Sequence, residues 1–456
     1  MTARASRSVP QPVHRRRLGL CEAEEMANGP SASLRRPAPR GGRPQLRLVR
    51  GSAPRRGRSD RTVLLVLVGA LSAIGLVLVL AASAYTSLVD YGSVWSIFLR
   101  QVIWVGLGVL ALVVCAAVPY PAWRRWRTPI LLGGLALLVL VLVPGIGDHV
   151  AGSTRWLGFG QLRVQPSELM KLALCVFAAD LAARRAHRAE EPRALALPLL
   201  AVTAAAAFLV LLQPDLGTAI VLAAIAFAVL LVVGVPGKVL AAAGLAGVLL
   251  TGAAALAEPY RRARLLSFVD PLAHRETTGY QVVQSLVGIS SGGPFGLGLG
   301  NGQVQWGLLP NPHTDFIFSV LGQDTGVVGV LVVSVLFVGL AVVGLRIAGR
   351  APDRFGAVLA LAVTCWISVE ALINMGAVVG LLPVTGIPLP FISFGGSSTV
   401  VVMAGVGMLA SVARAAEAHQ RRPRRGRTGS AGAHGRGTNR RAARPVRWPV
   451  REAAGR

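Results

Sequence analysis

Apolar residues run in long blocks along this chain from about Thr62 to about Ala413, separated by short polar segments. Blocks of this length match a helix that crosses a bilayer. The pattern predicts ten transmembrane helices, over 62–84, 97–117, 128–146, 166–184, 194–212, 215–233, 236–257, 314–345, 354–380 and 390–413. The eighth is long and broken by glycine, which predicts a tilt or kink. The expected fold is therefore an all-α polytopic membrane domain over 62–413. Its longest connection, 258–313, follows the seventh helix.

Composition agrees. Of 456 residues, 53% are hydrophobic, and the mean hydropathy is +0.58, more apolar than a soluble domain. The net charge of +27 suggests nucleic acid, but its placement argues against that partner. Arginines crowd into 4–61 and 414–456, outside the spans. Both tails are rich in Pro, Gly, Ser and Arg, which predicts disordered cytoplasmic tails over 1–61 and 414–456 that meet anionic lipid. An even number of spans puts both tails on one side, and the positive-inside bias makes that side the cytoplasm. Arg124, Arg125 and Arg127, then Arg184, Arg185, Arg188 and Arg193, fall on it, while 258–313 is extracytoplasmic. Cys21, Cys115, Cys175 and Cys365 are far apart and form neither a disulfide framework nor a metal pattern.

Two outer loops break the charge bias. Loop 147–165 holds Arg155 and Arg163, and loop 258–313 holds Arg261, Arg262, Arg264 and Arg275. Topology does not call for arginines there; they are either solvated or facing an anion such as phosphate. The second loop ends in Leu309-Pro-Asn-Pro-His-Thr-Asp315-Phe-Ile-Phe, which sets a carboxylate where polar chain enters an apolar span. An ionisable residue at such a boundary is a candidate for function. Glu168 and Lys171, three apart at a helix start, read either as a local ion pair or as site residues. Asp215, in Gln213-Pro-Asp-Leu-Gly-Thr218, reads as a helix cap or an outer-surface acid. Glu370 and Asn374 read as a buried polar pair. No phosphate-binding loop of the NTPase type is present, and His149, His274 and His313 are isolated in sequence.

Several motifs, in order, carry a resemblance. They are Gly152-Ser-Thr-Arg155-Trp, Gln165-Pro-Ser-Glu168-Leu-Met-Lys171, Gln213-Pro-Asp215-Leu-Gly-Thr, Gly279-Tyr-Gln-Val-Val-Gln-Ser, Gly298-Leu-Gly-Asn301, His313-Thr-Asp315-Phe-Ile-Phe and Leu382-Pro-Val-Thr-Gly-Ile-Pro-Leu-Pro-Phe-Ile-Ser-Phe-Gly-Gly-Ser397-Ser. Together they resemble the SEDS family (shape, elongation, division and sporulation) over about 62–413. Glu258-Pro-Tyr-Arg261-Arg262 and Gly298-Leu-Gly-Asn301 are more similar to its division branch than to its elongation branch.

The resemblance implies a ten-span peptidoglycan glycosyltransferase that polymerises lipid II at the outer leaflet of a bacterial plasma membrane, at the division septum. It implies a class B penicillin-binding protein and other division proteins as partners. The family's essential aspartate falls on Asp315, as general base for a sugar hydroxyl. Arg155 and Arg261 or Arg262 would stabilise an undecaprenyl pyrophosphate leaving group, with or without magnesium or manganese. Glu168, Lys171, Asp215, Asn301, His313, Thr314 and Ser397 join them as substrate-binding candidates. A lipid II transporter and a non-catalytic division scaffold are the alternative readings. Many relatives have more acidic residues near the base than this chain has at 304–311 and 322–326. Fewer neighbouring carboxylates predict a lower pKa for Asp315.

Overall fold

The computed structural model describes residues 59–150, 153–159, 162–185, 192–257, 259–310 and 312–421. Both predicted tails lie outside the described residues, apart from their edges nearest the membrane domain. Ten long helices occupy the ten predicted blocks: α1 (Asp60–Tyr91), α2 (Ser96–Ala117), α3 (Trp123–Leu140), α4 (Pro166–Arg184), α5 (Pro192–Leu212), α6 (Leu216–Val233), α7 (Gly237–Ala257), α10 (Ile317–Arg350), α11 (Arg354–Val378) and α12 (Ser397–Arg421). Two shorter helices, α8 (Pro259–Val269) and α9 (Tyr280–Gly292), lie inside the long connection. Eight of the ten long helices are apolar enough to cross a membrane by length and composition alone. The two others are α3, which carries Arg124, Arg125 and Arg127, and α4, which carries Glu168, Lys171, Asp180 and Arg184.

Helix ends differ from the apolar blocks because hydropathy marks the bilayer, whereas backbone hydrogen bonding and caps mark the helix. α1 begins at Asp60 with Ser59 as its cap, the serine side chain accepting from Thr62 N at 3.2 Å. α12 continues past Ala413 through Arg414 to Arg421. The eighth block starts helical only at Ile317, which leaves Thr314 and Asp315 in the turn before it. Its expected kink falls at Gly326, whose φ of 67° suits glycine.

The all-α fold holds, and the difference lies in the predicted loop 147–165. Three short strands, β1 (Gly147–Val150), β2 (Ser153–Phe159) and β3 (Leu162–Val164), form an antiparallel sheet in the order β1-β2-β3. Leu157 pairs with both Gly147 and Val164. The segment had been assigned to a loop because it is short and polar; sheet pairing satisfies its backbone where side chains cannot.

Apolar burial does not drive helices together inside lipid, so close approach of small residues matters more. α12 is the most enclosed of the long helices. A Cβ added at its Gly407 would lie 2.4 Å from the Leu112 carbonyl of α2, so only glycine permits this approach. Arginines that topology alone would leave in solvent also take part in packing. Arg124, Arg127 and Arg184 meet the buried carboxylate of Asp180 at 3.1, 2.9 and 2.8 Å. Arg350 at the end of α10 pairs with Asp60 at the start of α1. Cys115, Cys175 and Cys365 are free thiols.

Candidate functional site

The segment 383–397, between α11 and α12, is where the site is assembled. Val384 O accepts from Arg264 on α8 at 3.4 Å. The Ile387 carbonyl accepts from Asn374 on α11 at 2.8 Å, and the same amide nitrogen donates to the Asp315 carbonyl at 2.9 Å. Asn374 thus fixes the Asp315 backbone to the proline-rich turn. Gly386 borders the acid: a Cβ there would sit 3.5 Å from Asp315 Oδ2. Gly217, at the start of α6, packs so tightly against Ile387 and Thr385 that a Cβ would come within 2.8 Å of Ile387 Cγ1.

Asp215 is the cap of α6. Its carboxylate accepts from Thr218 N at 3.1 Å and from the Thr218 hydroxyl at 2.8 Å. Gln165 Nε2 donates to it at 3.2 Å, and Gln165 N donates to Ser397 Oγ at 3.0 Å. Gln165 therefore joins the starts of α4, α6 and α12.

Asp315 is part-buried in this frame. Burial pushes its carboxyl above the ordinary carboxylate range; the positive charges of Arg264 and Arg155 pull it back, and Asp215 pushes it up. Burial thus sets the direction, and the acidic neighbours that many relatives carry play no part in it. The acid retained at 322–326 faces elsewhere: Asp324 Oδ2 accepts from Gly300 N at 3.0 Å.

Several candidates have roles other than the expected ones. Arg155 is not simply solvated: its Nε donates to Gln213 O at 2.9 Å, and a terminal nitrogen donates to the Pro214 carbonyl. It ties β2 to the α5–α6 turn while its charge still acts on Asp315. Glu168 and Lys171 do pair, at 2.8 Å, but at 2% and 1% exposure they are closed off from substrate. Lys171 also pairs with Glu370, so Glu370 and Asn374 do not form the expected pair. Asn301 is exposed and donates to Leu297 O at 3.2 Å within the glycine-rich loop. His313 is buried edge-on against Phe394, with ring centroids 5.7 Å apart, and burial lowers its imidazole to about 4. It is neutral near pH 7 and not a solvated loop histidine. Ser397 holds Gln165. Arg262 is exposed on α8, and the Arg261 side chain lies outside the described residues. Thr314 precedes Asp315 in the same turn.

The sequence reading named Arg264 only as one of several outer arginines that could face an anion, and left Gln165 and the bridging role of Asn374 out of the site. Arg264 and the buried Ser267 lie one turn apart on α8, so helical spacing would have separated the inward Arg264 from the outward Arg262. Among the described residues, no three His, Cys, Asp or Glu side chains group to hold a metal ion. The cationic groups acting on Asp315 are the guanidiniums of Arg264 and Arg155.

A family model described as a cell cycle protein, FtsW–RodA–SpoVE, matches residues 61–418. The chain belongs to that family. It is 39% identical over 353 residues to the probable peptidoglycan glycosyltransferase FtsW of Mycobacterium tuberculosis, covering 77% of this chain and 67% of the relative. It is 36% identical to the stage V sporulation protein E of Bacillus subtilis, covering 78% of this chain and 97% of the relative. A chain of a solved peptidoglycan synthase complex, described as coordinating polymerization and crosslinking, superposes with a TM-score of 0.64 at 31% identity. That match covers 77% of this chain and 97% of the other. The rod shape determining protein RodA of Thermus thermophilus superposes with a TM-score of 0.58 at 28% identity, covering 79% and 98%. The matched region takes in every helix described above, apart from Asp60 of α1 and the last three residues of α12, and the whole of the Asp315 site.

Proposed function

We propose that this family member is a peptidoglycan glycosyltransferase that polymerises lipid II at the outer leaflet, working with a class B penicillin-binding protein at the division septum. The observation that carries the reading is one part-buried carboxylate, Asp315, at a membrane boundary under the charge of Arg264 and Arg155. Asp315 takes the proton from an acceptor sugar hydroxyl. The hydroxyl oxygen bonds to the donor's anomeric carbon, and the bond from that carbon to the undecaprenyl pyrophosphate oxygen breaks. Arg264, whose charge acts on Asp315, stabilises the departing charge. Single displacement inverts the anomeric centre.

The purified chain with its penicillin-binding partner and labelled lipid II in liposomes tests this. Glycan strands resolved on a gel support it. Lipid II crossing the bilayer with no strands formed would favour transport instead. The ion cluster of Glu168, Lys171 and Glu370 motivates that second reading, since transporters place charge inside the bundle. Its members pair with one another, however, and are sealed from solvent.

A general base works only when ionised, and the Asp315 pKa is raised. Activity should therefore fall as pH drops through a value above the ordinary carboxylate range. Arg264→Ala removes a lowering charge and should move this acid limb to higher pH. Asp215→Asn keeps a capping oxygen, removes a raising charge and should move it to lower pH. Profiles of kcat/KM against pH check both signs. If neither variant shifts the limb, Asp315 is not the titrating base.

The proposed topology has ten spans, both tails inside and 258–313 outside. Cysteines at Glu276 and at Arg421 in a cysteine-free background test it with an impermeant thiol reagent on intact cells. Labelling is expected at position 276 alone. Labelling at position 421 would reverse the orientation.

A further inference from the structure

On the side away from the Asp315 site, the first turn of α3 meets the last turn of α4. α3 opens with Trp123-Arg124-Arg125-Trp126-Arg127, and α4 closes on Arg184. Asp180 sits between them with its side chain only 3% exposed. Its Oδ1 meets Arg124 Nε at 3.1 Å, and its Oδ2 meets Arg127 Nε at 2.9 Å and Arg184 Nε at 2.8 Å. One ion pair would be neutral. Here three guanidiniums share one carboxylate, so three charges less one leave a formal +2 held in a fixed place.

Neighbouring groups do not remove that excess. α3 has no acidic residue in its first turn and no side-chain cap from Ala122, and the start of a helix is itself positive. The next carboxylate in contact range is Asp353, since Arg124 Cζ lies 5.5 Å from the centre of the Phe355 ring. Asp353 is already engaged: it accepts from the Tyr120 hydroxyl at 3.0 Å and from Gly356 N at 2.9 Å. The arginines face Asp180 through Nε, which turns their outer nitrogens away from it. Arg127 Nη1 donates to Arg124 O at 3.1 Å. The terminal nitrogens of Arg124 and Arg184 have no hydrogen-bond partner among the described residues, and these side chains are 40% and 51% exposed. Paired guanidinium nitrogens grip two oxygens of one phosphate. Trp126 is exposed beside them, and exposed tryptophan at the end of a span belongs at headgroup level.

We propose that this cluster binds the phosphate of an anionic phospholipid in the inner leaflet. Arg124 and Arg184, one from each helix, take the phosphate oxygens, while Asp180 and Arg127 hold them in place. A zwitterionic headgroup would bring an ammonium to a site that is already positive, so an anionic one is favoured. Arginines that serve topology alone need no buried carboxylate to position them, and burying one is costly. The bound headgroup joins α3 to α4. At its other end α4 begins beside Gln165, which holds Asp215 and Ser397. Lipid at the inner end therefore steadies a helix that frames the outer site. Such a site depends on the proposed topology and not on the glycosyltransferase chemistry.

Native mass spectrometry of the full chain, released from detergent after mixing with phosphatidylglycerol or phosphatidylcholine of matched acyl length, reads lipid retention directly. The parent is expected to prefer phosphatidylglycerol by about fivefold. Arg124→Gln with Arg184→Gln should lose most of that preference, while Arg127 stays on Asp180 and keeps the buried carboxylate paired. Arg346→Gln with Lys238→Gln removes the same charge from other helix ends on this side and should leave the preference unchanged. The melting temperature should rise in phosphatidylglycerol for the parent and not for the Arg124 and Arg184 pair. If that pair fails to fold, Arg124→Lys with Arg184→Lys decides instead: it keeps both charges, loses the planar forks and should weaken the preference by about twofold. Parental preference in the deciding variant would overturn the site. An equal loss in the Arg346 and Lys238 control would also overturn it, leaving only bulk surface charge. Displacement of phosphatidylglycerol by an equal concentration of inorganic phosphate would assign the cluster to free phosphate. Displacement by polyglutamate alone would assign it to an acidic protein segment, and either result removes the lipid.

Discussion

Asp315→Asn is expected to reduce strand synthesis by about 10²–10⁴-fold, the usual worth of general-base assistance. Asparagine keeps the size and the main-chain carbonyl that Asn374 holds at 2.9 Å. Backbone anchoring should therefore survive while proton abstraction is lost. Melting temperature, partner binding and lipid II binding should stay near parental values. Asn374→Ala provides the complementary test, since it leaves the carboxylate and frees two carbonyls, those of Asp315 and Ile387. It should lower activity through misplacement of the base, with some loss of stability. A folded, partner-bound Asp315→Asn protein that made strands at the parental rate would remove the aspartate from the mechanism.

The membrane core was legible in the sequence because long apolar runs read directly as helices. The ten blocks and the break in the eighth needed no tertiary information. The helix ends were less legible, since caps such as Ser59 and basic extensions such as Arg414–Arg421 do not follow hydropathy. The sheet at 147–164 was missed because strand pairing there is set by partners and not by a strong apolar pattern. Within the site, Asp315 and Asp215 stood out by position at the membrane boundary. Arg264 was not separated from Arg261 and Arg262, because the connection 258–313 was treated as loop and no inward face was assigned to α8. Arg155 was recognised as exceptional, but its carbonyl partners are 58 and 59 residues away. Such contacts come from folding, as does the burial that raises the Asp315 carboxyl.

Lys171→Met should destabilise the protein by about 3–5 kcal/mol, the range for breaking one side of a buried ion pair. Lys171 is fully buried, pairs with Glu168 at 2.8 Å and with Glu370, and lies 5.5 Å from the Trp366 ring. Methionine fills similar space but leaves two buried carboxylates without their cation. One Glu168 oxygen already lacks a hydrogen-bond partner among the described residues, so little is available to replace the lysine. The triple variant Lys171→Met, Glu168→Gln, Glu370→Gln removes charge from all three positions and should recover much of the loss, since uncharged sets often match buried pairs. Unfolding in mild detergent would measure both. The cluster joins α4 to α11, and α4 begins beside Gln165, which holds Asp215 and Ser397. If the cluster is a brace, activity should follow stability and return with the triple variant. If it carried a proton or charge during transport, the triple variant would be stable but inactive. Stability restored without activity would therefore move the cluster from scaffold to mechanism.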